Sequence, residues 1–169
     1  MDVKLGDGVA LVVLGDTMVV MWQAPASLAR WQWQMERQDA LMATQPSGII
    51  CFYLILSASD SPDAKLRWTM KTDFERIGDR LRGQIVVPLG DSVRMVVVRA
   101  IVRAILLMSG HSKRQVVVST IKEGLLRVQD VASRVTPSHS QLLTAVRALA
   151  AALKVTLPVE LGLPIATDH

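Results

Sequence analysis

Short apolar runs alternate with amphipathic helical patterns along most of this chain, and that alternation limits the folds open to it more than any other feature. Val9 to Trp22 has the pattern of a two-strand hairpin, and Gly48–Leu56 (GIICFYLIL), Gln84–Leu89 and Gln115–Ser119 are apolar runs of strand length. Helical patterns separate them. Strand and helix in regular succession predict an α/β fold with a mixed, largely parallel sheet, a hairpin first and β-α repeats after it. Gly15-Asp16 suits a two-residue hairpin turn whose first position needs positive φ.

The helical patterns carry their own start and stop signals. The first follows Ala24-Pro25 and runs to about Thr44, with Leu28, Trp31, Met35 and Met42 on one face. The second is expected to use Ser61 as N-cap, Pro62 in its first turn and Leu66, Met70, Phe74, Ile77 and Leu81 as its core face. The third, Ser92 to Ser109, is apolar nearly all round. Val93, Val96, Val97, Ala100, Ala104 and Met108 form one side of it, and Met95, Val98, Val102 and Leu106 much of the other. The fourth opens on a capping box, Thr120 with Glu123, and turns Ile121, Leu125, Val128 and Ala132 inward. Pro137 precedes a fifth, Gln141 to Lys154, with Leu142, Val146, Leu149 and Leu153 aligned. The core faces hold large side chains with no cluster of glycine or alanine, so a closed core without a ligand cavity is expected.

Half of the 169 residues are hydrophobic, and the mean hydropathy of +0.33 is high for a soluble protein. No membrane span is expected, because Arg94, Arg99 and Arg103 interrupt the greasiest helix. The opening MDVKLGDG lacks signal-peptide character, and Cys51 is the single cysteine, so the cytoplasm is the expected compartment. The net charge of +4 is spread along the chain. Arg76, Arg80 and Arg82 are interleaved with Asp73, Glu75 and Asp79, which fits a solvated helix face better than a phosphate-tracking stripe. Nucleic acid is therefore not an expected partner.

Few residues point to chemistry. His111, His139 and His169 have no His, Cys or carboxylate at ligand spacing, and no metal or cofactor is expected. There is no phosphate-binding or dinucleotide glycine motif and no nucleophile elbow, which argues against an enzyme. The turn Gly90-Asp91-Ser92 at a helix start offers backbone N–H groups to an anion, with a plain capped turn as the simpler reading. Ser61 is either a phosphoacceptor beside a helix N-terminus or only an N-cap, and the cap is favoured.

Four tryptophans stand among only seven aromatic residues. Trp33 and Trp68 lie off the apolar stripes of their helices by helical geometry. Together with Met95, Val98, Val102 and Leu106 they are the candidate interface residues, for a protein partner or a homodimer.

The order of strands and helices resembles the STAS or anti-sigma-factor-antagonist-like family and its relatives with the Sec14-type strand–helix superhelix. The nearer likeness is to stand-alone bacterial proteins of the myxobacterial type. It is carried by Trp22-Gln23-Ala24-Pro25, Gly48-Ile49-Ile50, Pro62 with Arg67, Val98-Arg99-Ala100-Ile101-Val102 and Ser119-Thr120-Ile121-Lys122-Glu123-Gly124, and it covers about residues 9–133. The resemblance implies a STAS-like α/β domain over 1–133, with 134–169 an added C-terminal helix and tail. It implies a non-enzymatic, regulatory protein-interaction module; the alternative is a domain that binds a small apolar or anionic ligand such as a lipid or nucleotide. The family's phosphoacceptor loop corresponds to Ser59-Asp60-Ser61-Pro62-Asp63, where Ser61 matches but Pro62 replaces a second serine and the glycine is absent.

Overall fold

The computed structural model describes residues 1–56, 62–89, 93–108 and 114–157, with the backbone alone at 93, 94 and 105–108. Six strands form one sheet in the order β1 (Lys4–Gly6), β2 (Val9–Leu14), β3 (Thr17–Trp22), β4 (Ile49–Ile55), β5 (Leu81–Pro88) and β6 (Gln115–Val117). The first three are antiparallel neighbours, and β3 to β6 are parallel. Five helices complete the α/β fold: α1 (Leu28–Thr44), α2 (Ala64–Ile77), α3 (Val93–Met108), α4 (Ile121–Asp130) and α5 (His139–Leu153). The strand β1 was not expected from the sequence, because three residues are too few to show a period.

Alternation along the strands divides the core in two. Val9, Leu11, Met18, Val20, Cys51 and Tyr53 turn to one face, where Trp31 and Met42 of α1 and Leu66, Phe74 and Ile77 of α2 cover them. Ile101 and Val102 bring α3 onto the same face. Ala10, Val12, Val19, Phe52 and Val87 turn to the other face, under Ile121, Leu125 and Val128 of α4 and Leu142, Val146 and Leu149 of α5. A parallel strand pair joined by a helix needs a crossover on one side, which is why α1, α2 and α3 share a layer. The C-terminal helix α5 seals the second face over β2 and β3.

The hairpin turn is tight because Leu14 pairs directly with Thr17. Gly15 supplies the expected positive φ of 57°. Next to it Asp16 is fully buried yet well supplied with donors. It accepts from Thr17 Oγ1 at 3.1 Å, Ser133 Oγ at 2.7 Å, Thr136 Oγ1 at 3.0 Å and the Arg82 guanidinium. Arg82 also donates to the Val131 carbonyl. One carboxylate thus ties the hairpin turn, the start of β5 and the α4–α5 connection together at the N-terminal edge of the parallel strands.

Two helix starts differ from expectation. The N-cap of α2 is Asp63, whose carboxylate accepts from Leu66 N–H at 2.7 Å, so Ser61 is not the cap. Asp serves as well as Ser at a cap, and its charge favours the helix N-terminus. At α4, Thr120 accepts from Glu123 N–H as expected, but Glu123 Oε2 accepts from Ser119 N–H, one residue before the cap. Further corrections concern ends. Leu81 begins β5 instead of extending α2, and Ala132 lies beyond α4 and is exposed.

Candidate interaction face

The same-sided crossovers make α1, α2 and α3 parallel neighbours, each returning from the C-terminal end of one strand to the start of the next. The α1–α2 seam is closed. Trp31 meets Phe74 edge-on with ring centroids 5.4 Å apart, and its Nε1–H donates to Asp73 at 2.8 Å. Arg76 forks onto both carboxylate oxygens of Asp39 at 3.0 Å. Polar and aromatic groups on this seam are therefore engaged within the chain.

The outer side of α2 and α3 is different. Trp68 is 68% exposed, and it lies almost opposite the Leu66–Phe74 stripe of α2 by helical spacing. On α3, Val96 is 57% and Val97 51% exposed, and Ala100 and Ala104 are exposed with them. Trp68 and Val97 are each the fifth residue of their helix. Since both helices start at neighbouring strand ends and run the same way, these side chains sit at comparable height on one outer surface. Elsewhere among the described residues Met1, Leu5, Val13, Leu126 and Val135 are exposed at scattered positions, as single apolar residues commonly are.

Burial reverses the expected orientation of α3. Met95 is only 3% and Val98 7% exposed, and Val102 packs against the first core, so this side faces inward. The outward side is the one opposite the expected interface. A helix apolar all round has no polar stripe to set its rotation, and the choice falls to packing: the bulkier Met95 is buried while small Ala100 and Ala104 face water. The side chain of Leu106 lies outside the described residues, as do Ser61, Gly90, Asp91 and Ser92.

Trp33 is also corrected. It is half-buried, the Arg37 guanidinium lies 3.9 Å over its ring, and Gly6 of β1 packs so close that a Cβ there would come within 3.0 Å of it. The unexpected strand β1 is what covers it. Of the two tryptophans expected at an interface, Trp68 alone is well exposed.

A second polar group lies inside the first core. Trp22 Nε1–H donates to Gln34 Oε1 at 2.9 Å, Gln34 Nε2 donates to the Tyr53 hydroxyl at 3.1 Å, and that hydroxyl donates to Gln38 Oε1 at 3.1 Å. All four side chains are buried. Burial pushes the Cys51 thiol up to about 12 despite the nearby Tyr53, so it is protonated at neutral pH and offers no thiolate. Burial also raises Tyr53, with Cys51 adding to the shift. Neither group is poised for acid, base or nucleophile work near pH 7. The chain of amides satisfies a buried indole and a buried phenol, which is a sufficient reason for Gln34 and Gln38 to be there.

Among the described residues no three His, Cys, Asp or Glu side chains gather as a metal-holding group, and His139 opens α5 exposed to solvent. No described helix is long and apolar enough to cross a membrane. Comparison with protein-family models, curated proteins and solved structures finds no match.

Proposed function

We propose that this chain is a non-enzymatic, STAS-like interaction module that docks a protein partner through the outer face of α2 and α3. The observation that carries this reading is the exposed apolar set Trp68, Val96 and Val97 on two parallel helices of one layer. Leaving such side chains in water forgoes roughly 1.5–3 kcal/mol for each one that a partner would fully bury. Tryptophan is enriched among the residues that dominate protein interfaces, and contiguous apolar patches mark docking sites.

The test is affinity capture from the cell of origin with three baits: the native chain, Trp68→Ala and Val97→Asp. The partner is expected on the native bait and depleted about tenfold or more on each variant, the equivalent of about 1.4 kcal/mol or more. Equal recovery on all three baits, with the melting temperatures unchanged, would contradict the assignment of the face.

A further inference from the structure

The rim of this face is mostly basic, with Glu75, paired to Lys71, as its exposed carboxylate on α2 beyond the first turns. Helix α3 contains Arg94, Arg99 and Arg103 and no acidic residue. The first eight residues of α2, Ala64 to Lys71, contain Lys65, Arg67 and Lys71 and no acidic residue. Lys65, Arg67, Lys71 and Arg103 are exposed around Trp68, Val96 and Val97. The nearby carboxylates are committed: Asp63 caps α2, Asp73 accepts from Trp31 and Arg76, and Glu75 lies 3.3 Å from Lys71.

Resting on the reading that this face docks a protein, we infer that its partner is an acidic amphipathic helix of a second protein. Its apolar stripe lies along the groove between α2 and α3, and its Asp and Glu side chains meet the basic rim. Two parallel helices in one layer leave a groove of the width a third helix fills, and helix-in-groove recognition reads an apolar stripe at helical spacing. Charge decides between this occupant and the others. A second copy of the chain would bring one arginine-bearing helix against another, and like charges facing each other are strongly disfavoured across an interface. An anionic lipid layer tangent to α2 would meet Glu75, which follows Trp68 by seven residues and so lies on the same outward line. A helix of two or three turns seated in the groove beside Trp68 ends before that carboxylate, which lies about 10 Å further along α2.

The experiment uses two synthetic helical peptides that share one leucine stripe, one flanked by glutamates and the other by lysines. Each is titrated by fluorescence anisotropy into the full chain, into Trp68→Ala, and into the triple variant Lys65→Glu/Lys71→Glu/Arg103→Glu. The glutamate peptide is expected to bind the native chain at least about tenfold tighter than the lysine peptide, with the preference shrinking in high salt. The triple variant is expected to reverse the preference, which a merely misfolded protein would not do. Binding of both peptides alike, or of neither, overturns the acidic partner while leaving the face itself to the capture experiment. Glutamate-peptide binding that survives Trp68→Ala unchanged places the site elsewhere and overturns the docking face. Sedimentation with phosphatidylcholine–phosphatidylserine vesicles in preference to peptide binding, or a concentration-dependent dimer that the peptide does not disperse, overturns the inference in favour of lipid or of a second copy.

Discussion

Asp16 shows how a single side chain can hold distant segments together. Burial by itself would raise its pKa, but hydrogen bonds from Ser133, Thr136, Thr17 and Arg82 outweigh burial and hold the carboxyl below its ordinary value. A carboxyl with a lowered folded pKa adds stability above its unfolded pKa and loses it as pH falls through the folded value. Asp16→Asn should therefore destabilise the protein strongly at pH 7 by urea denaturation, by about 3 kcal/mol for breaking a largely buried ion pair. Below the folded pKa the native carboxyl is itself neutral, so native and variant stabilities should converge; a gap unchanged by acid would contradict the ionic account. The turn at Gly15-Asp16 was legible in the sequence because it needs only two adjacent residues and a positive φ. The role of Asp16 was not, since its partners at Arg82, Ser133 and Thr136 are brought to it by tertiary structure. Trp33 was misread for the same reason: Gly6 and Arg37 cover it, and Gly6 belongs to a strand too short to see in advance.

Elements were the most legible level, and their ends and rotations the least. Strands β2 to β6 and all five helices appear in the sequence pattern because short continuous apolar runs, the mark of strands buried on both faces, alternate with longer stretches of period 3.6. The cap of α2 was displaced from Ser61 to Asp63 because both residue types serve, and only the backbone shows where the first turn closes. Asp63→Ala should cost about 0.5–2 kcal/mol in a denaturation experiment; no loss would mean that Leu66 N–H is capped otherwise. The rotation of α3 was misjudged because apolar residues surround it, so no stripe marks its core side. Helix α4 makes a different demand. A Cβ on Gly124 would lie 2.6 Å from the Phe52 ring and 2.9 Å from Val87, both fully buried. Gly124→Val should destabilise by about 1–3 kcal/mol through overpacking, against the better helix propensity of valine. A melting temperature equal to or above the native one would show that α4 can lift from the sheet without penalty.

At the scale of the molecule, both faces of the sheet are covered, and part of the surplus apolar surface, Trp68, Val96 and Val97, lies on the outer side of the α1–α2–α3 layer. The surplus itself could be read from the high mean hydropathy and from α3. Its location could not, because the crossovers that align α2 with α3 join residues about thirty positions apart. Helix α5 completes the second layer over β2 and β3, and its outer side provides an internal control. The most direct test of the docking face places the photo-crosslinker p-benzoylphenylalanine at Val97 and, separately, at the exposed Ala151 on α5, with irradiation in the cell of origin. Position 97 is expected to yield a discrete covalent adduct with a second protein and position 151 none. No adduct at 97, or the same adducts at both positions, would contradict the claim that the α2–α3 face is where this protein meets its partner.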